Sequence, residues 1–251
     1  MAVQTGTRKS VKHTVDGSSW DVKTTGHHSL RADTVRKRAK CIRKFLYYFP
    51  GGYAGKKFVA WEREYKFNAH LAWEQKLGKR EFSRLLDQKE FSEIAKRAIT
   101  LESKTNLLFS FEKMAIRDAL KTPAAIEAFA KGLFDFTYGK GKTETRFDNF
   151  RDILSNLPVK QTRVLTWPLL TVFGFLADPV NHIYLKPTVT KKAAEKYRFD
   201  FDYRPQPNWQ TYQSLLAFAE LIRKDTAKWK PRDMIDLQSF IWVMGSEEYP
   251  D

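Results

Sequence analysis

The sequence predicts a mainly α-helical chain, and three observations carry that expectation. The stretch from Lys79 to Thr122 contains no Gly and no Pro, and Ile94, Ala98, Leu101, Leu108, Ala115 and Ala119 recur in it at steps of three, four or seven. Thr122 followed by Pro123 is a helix-start signal, because the Thr side chain accepts an orphan N–H and Pro has none to lose. Extended character is confined to one short piece, Ile183, Tyr184 and Leu185, ended by Pro187. Phe91, Leu107, Phe111 and Met114 widen the central stripe. Such a band is expected to be core, with a ligand or cofactor box as the alternative.

Each element follows in order. Met1 to His28 is polar, without a sustained period, and is expected to be a flexible basic arm. Ser29 is placed to cap a helix running to about Tyr48, with Val35, Ala39, Ile42 and Leu46 on one apolar face and Arg36, Lys37, Lys40, Arg43 and Lys44 on the others. Phe49 to Gly55 is a Pro/Gly break. A helix from Lys57 to Lys76 then sets Phe58, Trp61, Tyr65, Ala69, Ala72 and Trp73 near one side, with Gly78 as its stop. Lys79 to Gln88 is a short helix leading into the central one. After Pro123, Ile126, Phe129, Leu133 and Phe134 mark one helix, and Phe147, Phe150, Ile153 and Leu154 mark another that ends near Pro158.

Beyond Pro158 the texture is less regular. The extended piece lies near 182–186, Thr190 to Tyr197 reads as one or two helical turns, and Thr188 or Thr190 is the candidate cap. Helices from Trp209 to about Trp229 and from about Pro231 onward close the chain. The expected architecture is one irregular multi-helix domain over 29–251 behind an arm over 1–28, with a subdivision near 158 as the alternative.

The global property that points outward is charge. The chain of 251 residues carries a formal net charge of +15 and a pI near 9.7, a surplus that concentrates polyanions around a protein. Through Lys44 there are eleven Lys and Arg against three Asp, so about half of the surplus sits in the first sixth of the chain. Arg36, Lys37, Lys40, Arg43 and Lys44 therefore form the first candidate phosphate-binding surface, with Arg8, Lys9, Lys12 and Lys23 of the arm beside it. Lys186, Lys191 and Lys192 form the second, next to a helix start whose free N–H groups suit a phosphate.

Other chemistry finds little support. One cysteine, Cys41, excludes an internal disulfide and a cysteine-rich zinc site, and is expected to be a buried thiol. His70 and His182 are expected to be structural, and there is no HExxH, GxSxG, P-loop or dinucleotide fingerprint. Asp233 and Asp236 lie three apart and share a helix face, and Glu102 and Glu112 lie on the central helix, carboxylates of the kind a metal-dependent nuclease needs; the simpler reading is that Asp233 caps the last helix. No metal and no cofactor are expected, and an enzyme is disfavoured. The polar start argues against secretion. Val164 to Ala177, interrupted by Pro168, falls short of the roughly 20 residues of a membrane span, so a cytoplasmic protein without a membrane partner is expected.

Phe49-Pro50-Gly51-Gly52, Thr105-Asn106-Leu107-Leu108-Phe109-Ser110-Phe111-Glu112-Lys113 and Arg232-Asp233-Met234-Ile235-Asp236-Leu237-Gln238-Ser239-Phe240 resemble stretches of unannotated bacterial proteins, a likeness covering most of the chain after the arm. It implies no activity, site or cofactor. The resulting expectation is a protein that binds DNA or RNA through phosphates, as part of a bacterial or phage DNA-handling or defence assembly. The alternatives are a protein-interaction subunit and a metal-dependent nuclease.

Overall fold

The computed structural model describes the backbone from Thr25 onward and side chains from Ala32. Arg8, Lys9, Lys12 and Lys23 of the expected arm lie outside the described residues. Among the described residues the chain is helical throughout, with no strand.

Helix α1 spans Thr25–Tyr48, so the expected start at Ser29 falls inside it. Its buried line is Cys41, Phe45 and Phe49, one step round from the expected face, and Val35 is exposed. A turn follows in which Gly52 adopts φ +59 with Trp229 packed against it, a place where a Cβ would collide with the indole.

The next helix runs on through α2 (Lys56–Phe58), a π turn (Val59–Arg63) and α3 (Glu64–Leu77). Phe58, Glu62, Lys66, Ala69, Trp73 and Leu77 are all buried. Their steps of four, four, three, four and four run slightly longer than the 3.6-residue turn, and the wider π turn absorbs the excess. Sequence periodicity expected Trp61 and Tyr65 on the inner side. Instead Trp61 is 58% exposed, and Glu62 and Lys66 occupy the interior.

The central stripe divides into α4 (Lys79–Asp87), α5 (Phe91–Glu102) and α6 (Ser110–Ala119). The second break was not expected. It falls at Ser103, Lys104, Thr105 and Asn106, where short polar side chains compete for backbone groups: Thr105 Oγ1 donates to the Glu102 carbonyl at 2.9 Å and accepts from Leu107 N at 3.3 Å. Glu112 Oε2 then accepts the Phe109 N–H at 2.9 Å and starts α6 afresh. The restart turns Phe109, Phe111 and Met114 outward, so these three are exposed and not core.

Thr122 caps α7 (Pro123–Tyr138) as expected, its hydroxyl accepting from Ala125 N. Helices α8 (Thr143–Asn156) and α9 (Trp167–Ala177) follow, and every residue of α9 is buried. The extended piece after α9 pairs with no strand. Its N–H groups go to hydroxyls: Ile183 N to Tyr212 Oη at 3.1 Å and Leu185 N to Thr171 Oγ1 at 3.0 Å. Helix α10 (Pro187–Tyr197) starts three residues earlier than expected, with Pro187 in its first turn and no side-chain cap, so neither Thr188 nor Thr190 caps it. Asn208 caps α11 (Trp209–Asp225), and Asp233 caps α12 (Met234–Gly245).

These helices form two groups. Helices α3, α4, α5, α7, α8 and α9 pack on one another, as do α1, α10, α11 and α12, and the π turn meets α12 where the groups join. Buried apolar residues make one cluster from Cys41 to Tyr249. At Gly245 the backbones of α10 and α12 come so close that an added Cβ would lie 2.0 Å from the Val189 carbonyl oxygen. No helix among the described residues is long and apolar enough to cross a membrane.

Candidate functional site

Two surfaces carry unusual chemistry, and α10 runs between them. The first is the seam of α1 and α10. Because Cys41 and Phe45 face inward, Lys37 and Lys44 lie along the edge of the buried line, while Arg36, Lys40 and Arg43 stay exposed. Lys37, Lys40, Lys44 and Lys196 surround a cavity of about 210 Å³ whose sole carboxylate is Asp251. Lys44 Nζ reaches Asp251 Oδ1 at 2.7 Å, and Lys196 Nζ reaches Oδ2 at 2.8 Å. These two ammonium groups hold the Asp251 carboxyl down at about 2.

The remaining candidates divide by partner. Arg36 pairs with Asp33 at 2.8 Å and Lys192 with Glu247 at 3.0 Å. Lys191 lies over the Tyr203 ring. Lys40 and Arg43 make no ion pair among the described residues. The packing of α1 on α10 joins segments more than 140 residues apart in sequence, but only Lys196 of α10 reaches the α1 cavity, while Lys186 and Lys192 line the aromatic cleft.

The second surface is an aromatic cleft where the two helix groups meet. Trp61, Tyr65 and Lys66 line it from the first long helix, Phe109 from the loop before α6, Lys186 from the start of α10, and Gln238 and Trp242 from α12. This inner part has a volume of about 210 Å³. An outer part of about 450 Å³ shares Phe109, Lys186, Trp242 and Glu248 with it and adds Phe111, Val189 and Ser246. The Leu107 carbonyl accepts from Tyr184 Oη at 2.6 Å and from Lys186 Nζ at 3.3 Å, which holds the loop against the extended piece. Lys186 Nζ also sits 3.4 Å from the centre of the Phe109 ring, and burial pulls its ammonium below the ordinary lysine range. Phe109 and Phe111 stack on each other, with ring centres 5.5 Å apart.

Behind the cleft lies a buried charge network. Arg63 grips Asp233 through two nitrogens at 2.7 and 2.8 Å and reaches Asp236 at 2.9 Å. Arg232 binds Asp236 from the other side at 2.8 Å. Lys66 Nζ donates to Ser239 Oγ at 2.8 Å and to Glu62 Oε2 at 3.3 Å, and Tyr249 Oη donates to Glu62 Oε1. Burial lowers the basicity of Lys66, so the pair has the elements of a nucleophile and its base. Ser239, however, has no exposed surface, and the pair braces one helix against α12.

The acidic candidates serve the fold. Asp233 accepts Ile235 N and Asp236 N, and a metal at Asp233 and Asp236 would have to displace two arginines. Glu102 lies 3.5 Å from Lys113, and burial pushes the Glu102 and Glu112 carboxyls up. No group of three or more His, Cys, Asp or Glu among the described residues could hold a metal ion. His182 Nδ1 meets Tyr212 Oη at 3.3 Å, and burial pulls the imidazole down to about 4. His70 Nδ1 meets the Leu176 carbonyl at 2.8 Å.

Sequence periodicity did not identify Trp61, Phe109, Gln238 or Trp242. The polar run Ser103 to Asn106 was the available signal, since a break there removes Phe111 and Met114 from the stripe and frees Phe109 beside them. Comparison with protein-family models, with curated proteins and with solved structures gives no match.

Proposed function

We propose that this chain binds nucleic acid in the cytoplasm, mainly through phosphates, on the face formed by α1 and α10. One observation carries the reading: four lysines from two helices converge on a site where two Nζ atoms already clasp an anionic oxygen pair at 2.7 and 2.8 Å. A phosphate presents the same kind of acceptor, and exposed Lys40 and Arg43 extend the surface along α1. Counter-ion release from such pairing makes binding fall steeply with salt.

Charge reversal at Lys40, Arg43 and Lys196 is expected to weaken binding of DNA and RNA oligonucleotides in fluorescence anisotropy. It should also flatten the salt dependence by about one unit of slope for each phosphate no longer neutralised. Unchanged affinity overturns the reading. A second reading rests on exposed Phe109, Phe111 and Met114, an apolar patch that fits a protein partner. A partner retained at high salt and released by Phe111→Ser and Met114→Ser would favour it over the first.

A further inference from the structure

We infer that the aromatic cleft takes an unpaired base of a single-stranded nucleic acid whose phosphates follow α10 toward α1. The inference rests on the phosphate-binding reading above and names the form of nucleic acid bound.

Four observations converge on it. The π turn puts Trp61 outside, 58% exposed, so its ring lines the cleft with Trp242 beside it and Lys57 Nζ 4.5 Å from its centre, while Phe109, 54% exposed, holds Lys186 and stacks on Phe111 at the rim. Such rings lose little by stacking on another flat π system and gain contact on both faces. The inner wall is polar. Gln238 is 97% buried, yet its Oε1 has no hydrogen-bond partner, and Ser246 Oγ in the outer part has none either. A buried acceptor without a donor is costly, so the wall is complementary to a ring that carries N–H groups on its edge. Behind this wall Lys66 Nζ is held by Ser239 Oγ and Glu62 Oε2, with the Tyr65 ring 5.3 Å away.

The fourth observation is the cation at the mouth. Lys186 is half-buried against Phe109, and no carboxylate lies within ion-pair distance of it. Glu112 acts on it from beyond that distance, so its ammonium is compensated only in part and can take an anion at the rim. From it, α10 carries Lys192 and Lys196 toward the clasp at Asp251, a run of about 15 Å along the axis from Lys186 to Lys196 at the usual helical rise. That length is on the scale of a few nucleotides of an extended strand. Flat faces, a donor-and-acceptor edge and a cation at the rim together describe a nucleobase and its phosphate. In a duplex the same base edges and faces are already occupied, so the cleft distinguishes an unpaired strand from a paired one.

The experiment uses the full chain and a 12-residue oligonucleotide carrying one 2-aminopurine, in single-stranded and duplex form, with adenosine monophosphate as a third ligand. The single strand is expected to bind more tightly than the duplex at the same salt, with quenching of the 2-aminopurine emission. Trp242→Ala and Trp61→Ala should each weaken single-strand binding roughly 5- to 100-fold, the range of one stacked base, and leave the duplex unchanged. Trp61 is exposed, so its variant keeps the measurement meaningful where Trp242→Ala perturbs folding. Adenosine monophosphate should compete only at far higher concentration; equal competition would mean a free-nucleotide site and overturn the strand reading. If both Trp variants leave affinity and quenching unchanged while charge reversal on α1 still weakens both oligonucleotides, the cleft inference falls and the phosphate reading stands. If the Trp variants act and α1 charge reversal does not, the cleft stands alone. Failure of both oligonucleotides to bind at low salt overturns both.

Discussion

Helix α9 and the helix from Lys56 to Leu77 are both buried against the same core, yet they are built on opposite terms. All of α9 from Trp167 to Ala177 is buried, and all but its Thr and Gly are apolar or Pro; its Thr171 satisfies itself on the Trp167 carbonyl. The other helix buries Glu62, Arg63 and Lys66 and turns Trp61 to solvent. Apolar burial needs only a surface to pack on, which any neighbouring helix supplies. Charge burial needs partners at fixed geometry, and these arrive from Asp233, Asp236, Ser239 and Tyr249, about 170 or more residues along the chain. A helix that takes charges inside and leaves a Trp outside is poor design for stability alone. The cleft it borders supplies a reason for the arrangement.

The comparison can be broken by removing one member from each helix. Arg63→Ala leaves buried Asp233 without its cation and Asp236 with Arg232 alone, and is expected to cost about 3–5 kcal/mol. Leu170→Ala in α9 leaves a cavity and is expected to cost about 2–5 kcal/mol. Urea unfolding of the two variants reads both. A cost at Arg63 no larger than that of a surface change would mean that the network is a bystander.

A smaller effect belongs to the α9 side, where His182 packs on Phe136 and Tyr212. Its imidazole is pulled from 6.5 down to about 4 by burial, so the unfolded chain binds a proton more readily than the folded one. The resulting stability is complete above pH 6.5 and is lost as pH falls from 6.5 toward 4, by at most about 3 kcal/mol. Thermal melts across that window should show the slope in the parent chain and lose it in His182→Gln. The smallest effect belongs to Trp61. Its exposed ring contributes little to folding, so Trp61→Ala is expected to shift stability by less than about 0.5 kcal/mol. A large loss in calorimetry would make Trp61 a structural residue and weaken the base-binding inference.

The same contrast explains what could be read from residues alone. Thr122, Asp233 and the Pro/Gly break at Phe49 to Gly55 act within a few residues, and each does what its sequence context implies. The apolar run of α9 declares its own burial. The buried thiol of Cys41 and the structural placement of His70 and His182 followed from residue type. The central stripe misled because Phe111 and Met114 sit at helical spacing from the core residues. Spacing carries through only while the helix does, and the polar run at Ser103 to Asn106 ends it. The first basic helix misled more mildly, since a rotation of one residue turned Lys37 and Lys44 into the seam.

By itself, then, the sequence determined the helical class, most element ends and a positive surplus weighted toward the amino end, because these depend on backbone propensity, local caps and composition. Only the tertiary structure decided that Lys196 joins Lys37, Lys40 and Lys44 around one anion clasp. It also decided that Trp61, Phe109, Lys186, Gln238 and Trp242 share one cleft. Those groupings join segments far apart in the chain. They exist only when buried charges find their partners and the helix packing brings the segments together.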